Sequence, residues 1–320
     1  MLRRCAAALL TFGNGANAEA PYQLPSEKHS WEKPPAKGVK KRAVYGCAMQ
    51  KMTEQITTKI QNALSRLEQA EDVTVLYACE SGSRAWGFES DNSDYDVRFV
   101  YLRPTHWYLT IQNKRDVIEK PIDDELDISG WDVPKALQLL RRSNPPLLEW
   151  LQSPIVYRQK SRFLERLKEL MDDYYSPISC MYHYLHMAEN NFRKYLKEEY
   201  VWTKKYFYVL RPVLACIWIE RGHGVVPIEL ARLVECVVDD ATLKSEIDAL
   251  LVKKRAGAEL GGNPRNPVLS DFLEQELNRL QAKTQPPART RDPSRLDRLF
   301  IDVLKEVNGE SIEQQPRGQA

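Results

Sequence analysis

The stretch VTVLYAC, from Val73 to Cys79, is an unbroken run of β-branched, aromatic and small apolar residues, as expected of a strand buried on both faces. It delivers the chain to Gly82-Ser83, where a glycine lets the backbone approach a bound group closely. A helix start at SRAWGF would aim free amides at an anion such as a phosphate. After a short polar excursion comes DYDVRFVYL, Asp94 to Leu102, a second strand. Strand side chains alternate, so Asp94 and Asp96 share one face while Tyr95 and Val97 take the other. Two carboxylates on one face repel unless a cation lies between them, and hard oxygen ligands select Mg²⁺ or Mn²⁺ over Zn²⁺. Alone, the alternating aspartates also suit a solvated turn with Asp94 as a cap. The strand, the Gly-Ser step and the spacer favour the metal reading.

Composition narrows the classes. With 320 residues, 43% hydrophobic and 28% charged, the chain can bury one or two ordinary cores. No segment approaches the roughly 18 uninterrupted apolar residues of a membrane helix, so no membrane association is expected. The net charge is +2, and affinity for a polyanion must come from a local patch. The six cysteines, at positions 5, 47, 79, 180, 216 and 236, form no CxxC pair. Reduced thiols and a cytoplasmic location are the expectation.

Residues 1–51 have no apolar periodicity and include the Pro- and Lys-rich WEKPPAKGVKKRAVYG. Arg3 and Arg4 before a short apolar run fit a secretory or organelle-targeting leader, but the same stretch reads more simply as a disordered extension or an over-long start. The fold is expected to begin near Met52 with an amphipathic helix whose apolar face carries Ile56, Ile60, Ala63, Leu64 and Leu67.

Gly82, Ser83, Asp94 and Asp96 resemble, position by position, the signature of the nucleotidyltransferases of the DNA polymerase beta superfamily. The longer strings GSRAWGFESDNSDYDVRFVYL and DISGWDVPKALQLLRRSNPPLLEWLQSPIVY look like one branch of it, the RNA-repair-pathway (RlaP-like) nucleotidyltransferases. The resemblance runs from Met52 to about Val238. It implies a small mixed-sheet polymerase-beta-type domain, residues 52–160; with the helical periodicity that follows, the expected fold is α+β, with an all-helical domain over residues 161–308 and a polar tail over residues 309–320. A third carboxylate is implied on a later antiparallel strand. In DELDISGWDV the alternation of Leu126 and Ile128 with Asp127 and Ser129 selects Asp127. Asp132, ahead of Val133-Pro134, reads more simply as a helix N-cap, and Asp123 and Asp124 as a solvated turn.

The same resemblance implies a chemistry. Asp94, Asp96 and Asp127 would hold two Mg²⁺ or Mn²⁺ ions and transfer a nucleotidyl group from an NTP to an acceptor hydroxyl. Gly82 and Ser83 would meet the triphosphate. Arg84 suits either a phosphate or a capping role, and Arg98 suits either a carboxylate or pyrophosphate. An RNA end is the implied acceptor, with a protein or a small molecule as alternatives, and an RNA ligase is an implied protein partner. A non-catalytic nucleotide-binding module is the reading from another class, which the three intact aspartates disfavour.

From Ile155 onward the periodicity is helical. Ser176-Pro177 marks a helix start and Arg221-Gly222-His223-Gly224 a stop. Between them lies the densest mixture of basic and aromatic residues in the chain. Lys204, Lys205 and Arg211 are expected to bind phosphate there, while the tyrosines suit stacked bases as well as helical core spacing. His183 and His186 share a helix face, but no third ligand accompanies them, so a packed or hydrogen-bonded role is expected.

Overall fold

The computed structural model describes residues 46–120, 125–257, 262–284, 286 and 291–309 of the chain, with side chains described from Glu54 onward. The expectations for residues 1–45, for Asp123 and Asp124, and for the tail from residue 310 lie outside the described residues. The first helix, α1 (Gly46–Glu71), begins upstream of Met52. It leads into β1 (Thr74–Glu80), the single turn α2 (Gly82–Ala85) and β2 (Tyr95–Leu102). Then come α3 (Thr105–Tyr108), β3 (Val117–Glu119), β4 (Leu126–Asp132), α4 (Val133–Arg141), α5 (Pro145–Gln152) and β5 (Val156–Gln159). The remainder is α6 (Phe163–Tyr174), α7 (Pro177–Tyr195), β6 (Tyr200–Trp202), α8 (Thr203–Glu220), α9 (Leu230–Val237), α10 (Ala241–Arg255), β7 (Gly262–Pro264), α11 (Pro267–Lys283) and α12 (Ser294–Asn308). This is the mixed α/β architecture expected, with one short ladder, β6 against β7, among the helices.

The main sheet has the order β3-β4-β2-β1-β5. β1 runs antiparallel to both β2 and β5, whereas β2 and β4 are parallel, Asp96 facing Asp127 in register. The expectation of an antiparallel strand for Asp127 is therefore corrected. β4 is antiparallel to β3, and the connection through α3 and β3 brings it back beside β2 in the same direction.

Alternation along β2 divides the two layers. Val97, Phe99 and Tyr101 join Ile60, Leu64 and Leu67 of α1 in one core, completed by Leu126 and Ile128 of β4. Val100 and Leu102 join the larger core on the opposite face, which continues through α4 to α12. Asp96 and Arg98 share that second face by the period of two. Close packing on the α1 side fixes Gly130, because a Cβ there would lie 2.3 Å from the Phe99 ring.

The change of texture near residue 160 is not a break in packing. Leu76 and Tyr77 of the sheet belong to the same apolar cluster as Phe207 and Leu299. Ser176 caps α7 by accepting from the Ser179 amide at 3.3 Å, and α8 ends at Glu220, immediately before Arg221. Among the described residues no helix is long and apolar enough to cross a membrane.

Candidate active site

The end of β1 supplies an anchor that the sequence did not single out. Glu80 is fully buried, and its carboxylate accepts from the Asp96 amide at 2.8 Å and from the Tyr157 hydroxyl. Burial pushes its carboxyl up to about 7. The Ser81 amide donates to the Asp96 carbonyl at 2.9 Å, so both backbone polar groups of Asp96 are held by the strand end opposite. In the sequence Glu80 differs in nothing from a surface glutamate at the mouth of a turn. Its fixed hydrogen bonds are visible only in the fold.

Gly82 follows with φ +61°, and a Cβ on it would lie 2.0 Å from Oδ2 of Asp96. The glycine thus answers both a backbone conformation and a close approach. Gly82→Ala is expected to cost about 1–3 kcal/mol in stability through strain and to push Asp96 out of place. A thermal melt beside a crystal structure of the variant checks this, and a variant that melts at the wild-type temperature with Asp96 unmoved would contradict it.

Asp96 and Asp127 stand opposite each other on parallel neighbours and both are partly exposed. Between them lies Arg98. Its Nη2 donates to Oδ1 of Asp96 at 3.0 Å and to Oδ2 of Asp127 at 2.9 Å, while Nη1 donates to the Asp127 and Val97 carbonyls at 2.8 and 3.2 Å. Of the two partners expected for Arg98, the carboxylates are the ones it meets. Burial first, and then the like charges of Asp127 and Asp94, hold the Asp96 carboxyl above its ordinary range, against the pull of Arg98. Asp94 is exposed just ahead of β2 rather than within it, yet close enough for its charge to reach Asp96.

The loop between α2 and β2 is braced from two sides. Arg84 donates to the Ser93 carbonyl at 2.9 Å and lies over the Tyr95 ring at 3.8 Å, so it holds the approach to Asp94. From α10, buried Lys254 donates to the Ser90 and Ser93 hydroxyls, each at 3.2 Å, and Arg255 donates to the Gly87 carbonyl at 3.2 Å. In the sequence the run Lys253-Lys254-Arg255 reads as the usual basic end of a helix. Its contact with the loop became apparent only in three dimensions. Ser83 is half-buried on the turn itself.

The other expected residues divide. Lys204 and Lys205 are half-buried at the start of α8, Lys205 lying over the rings of Tyr195 and Tyr208 at 4.0 and 4.9 Å. Arg211 is the correction. It is 2% exposed, is ion-paired with Glu149 at 2.5 Å and lies 4.8 Å from the centre of the Trp86 ring, so it belongs to the interior and not to a phosphate-binding surface. Asp132 holds the N-cap position of α4 without a side-chain bond to the helix. Its carboxylate instead accepts from the Tyr108 hydroxyl at 2.6 Å, and burial pushes it up to about 6. His186 packs edge-on against Tyr182 and meets Glu189 at 3.3 Å, while burial holds His183 below its ordinary value.

The donor chemistry of the aspartates fits a hard divalent cation: oxygen donors only, two of them in register on adjacent strands, and like charges in need of a counter-ion. Among the described residues no three His, Cys, Asp or Glu side chains already stand together as a metal-holding group. The space between Asp96 and Asp127 is taken by the guanidinium.

A mixed sheet bearing carboxylates on neighbouring strands beside a Gly-Ser turn is the arrangement of a nucleotidyltransferase domain. The chain matches the model of RlaP, the RNA repair pathway DNA polymerase beta family, over residues 56–302, and belongs to that family. It is 46% identical over 251 residues to the uncharacterized protein YcgL of Bacillus subtilis (strain 168), an alignment covering 78% of this chain and 96% of that protein. Among solved structures, a nucleotidyltransferase-like protein from Exiguobacterium sibiricum 255-15 aligns with a TM-score of 0.27 and 11% identity, over 78% of this chain and 80% of that one. Family membership supports nucleotidyl transfer as the function.

Proposed function

We propose that the protein is a Mg²⁺- or Mn²⁺-dependent nucleotidyltransferase that moves a nucleotidyl group from an NTP to a hydroxyl at an RNA end. The observation that carries this reading is the in-register pair Asp96 and Asp127, with the Asp94 charge in range and Gly82 packed against Asp96. Asp94, Asp96 and Asp127 are the residues that would hold the metal. When bound, such an ion supplies Lewis acidity, neutralising phosphate charge and favouring the ionised nucleophile. In the transfer, the acceptor oxygen bonds to the α-phosphorus, the bond from that phosphorus to the β-phosphate oxygen breaks, and pyrophosphate departs. The hydroxyl proton passes to the carboxylate cluster, where Asp127 is the accepting residue of this proposal.

The remaining residues orient the reactants. Glu80 and the Ser81 amide fix the Asp96 backbone, while Arg84, Lys254 and Arg255 hold the loop that leads to Asp94. Such positioning is a large part of what an enzyme contributes to a transfer with an already good leaving group. An RNA acceptor is supported by the family to which the chain belongs and by the lysines and tyrosines at the start of α8.

The test is incubation of the full chain with each α-labelled NTP, Mg²⁺ or Mn²⁺ and a pool of tRNA and total RNA, resolved on a denaturing gel beside an Asp94→Ala/Asp96→Ala control. Label entering RNA only with intact aspartates is the expected result. Label entering protein instead would replace the acceptor. Metal-dependent NTP binding without transfer to any acceptor would make the chain a nucleotide-binding module.

A further inference from the structure

Each oxygen of Asp96 has a separate neighbour. Oδ2 faces the bare Cα of Gly82, where no side-chain atom fits, and Oδ1 accepts from Nη2 of Arg98. The same nitrogen reaches Oδ2 of Asp127 on the neighbouring strand. One guanidinium nitrogen therefore holds the two carboxylates together at the point where their charges converge. It does so from β2 itself, with Nη1 moored to two backbone carbonyls at 2.8 and 3.2 Å. The group is largely enclosed, its side chain 18% exposed.

Electrostatics makes this arrangement consequential. A pair of partly buried carboxylates needs positive charge, and either a guanidinium or a divalent ion supplies it. A divalent ion seated between the two carboxylates would take the place that the guanidinium now fills, so the two would exclude one another there. We infer that Arg98 is an internal counter-cation of the carboxylate pair, and that a divalent metal binds Asp96 and Asp127 only by displacing its guanidinium. This deepens the proposed function, resting on Asp96 and Asp127 as the metal-holding residues, and adds a determinant of metal affinity that is not itself a ligand.

The consequences run in two directions. Without metal, Arg98 offsets part of the charge of the carboxylate pair and ties the two strands together. With metal, the affinity measured for the whole protein is the intrinsic affinity reduced by the fraction of molecules in which the oxygens are released. If the guanidinium occupies them about nine-tenths of the time, removing it strengthens metal binding roughly tenfold.

The experiment is a Mn²⁺ titration of the full chain without nucleotide, read from the electron paramagnetic resonance signal of the free ion. Wild type, Arg98→Gln, Arg98→Lys and Asp96→Asn/Asp127→Asn are compared, each checked by circular dichroism for a native fold. Arg98→Gln is expected to bind Mn²⁺ roughly tenfold more tightly than wild type. Arg98→Lys keeps a cation but loses the planar fork, so it should fall between them, and it carries the test if the glutamine variant fails to fold. In the wild type, the Arg98 side-chain resonances should lose their hydrogen-bonded shifts when Mg²⁺ is added, which a merely supporting arginine would not do.

Unchanged or weaker Mn²⁺ binding in the folded Arg98 variants overturns the inference. The proposed function stands in that case if Asp96→Asn/Asp127→Asn still abolishes Mn²⁺ binding and transfer. Absence of Mn²⁺ binding in both wild type and Arg98→Gln overturns the two together.

Discussion

Asp96→Asn is expected to lower nucleotidyl transfer about 10³-fold or more while leaving the melting temperature at neutral pH unchanged or raised. The two effects have one origin. Asp96 is the aspartate on which the site's contacts converge: the Asp127 partner across the strand pair, the Asp94 charge, the Gly82 approach and the Glu80 clamp on its amide. An amide in its place keeps the volume and an oxygen for Arg98, so packing is retained. What it lacks is the charge that, in the proposed function, holds metal and orients the phosphate, an effect of about 4 kcal/mol or more on the barrier, hence the three orders of magnitude. Stability moves the other way because the folded state disfavours the ionised Asp96: burial and its like-charged neighbours raise its carboxyl despite Arg98. A neutral side chain removes that penalty, as expected where a site gives up stability for function. Initial rates under saturating NTP and a thermal melt on the same preparation decide it. Normal transfer by Asp96→Asn would sink the proposed function. Lost transfer accompanied by a large drop in melting temperature would mean that Asp96 is needed for the fold rather than for the chemistry.

Much of the scaffold could be read along the chain, since it depends on local periodicity. The α1 face is an example, with Ile60, Leu64 and Leu67 buried at helical spacing, as are the apolar run of β1 and the Ser176 cap of α7. The pairing of Asp127 with Asp96 is different in kind. No periodicity links residues on strands separated by a loop and the three-residue strand β3, and here the family resemblance supplied what pattern lacks. Strand direction eluded both, because it is set by how the connection through β3 turns. Glu80 and Lys254 were missed for a related reason: their partners, Tyr157 and the Ser90 and Ser93 hydroxyls, are 77, 164 and 161 positions away. Lys205 and Arg211 looked alike in sequence, two cations among aromatic residues on one helix, yet one lies half-buried over tyrosine rings and the other in the interior. Which of them is enclosed depends on a glutamate 62 positions away from Arg211, in a segment that packs against it only in the finished fold.

That enclosure yields the second large effect. Arg211→Met is expected to destabilise the protein by about 3–5 kcal/mol, since it leaves Glu149 buried without its countercharge. Glu149 is 6% exposed and also accepts from the Tyr184 hydroxyl at 2.9 Å and the Trp86 indole at 3.1 Å, so its remaining donors are neutral. Arg211 further donates to the Pro227 and Ile228 carbonyls at 3.3 and 3.2 Å, which lose their partner as well. The four side chains come from α5, α7, α8 and the residue just after α2, and the two carbonyls from the segment before α9. Breaking the pair therefore loosens the junction between the Gly-Ser turn and the helices behind it. Replacing both charges, as Arg211→Met/Glu149→Leu, removes the stranded carboxylate and should recover much of the loss, because a buried ion pair is worth little relative to apolar residues of similar volume. Denaturant unfolding of the wild type, Arg211→Met, Glu149→Leu and the double variant tests the cycle. A surface phosphate ligand would behave in the opposite way: Arg211→Met would unfold at the wild-type midpoint and bind NTP more weakly, and that outcome would return Arg211 to the binding surface.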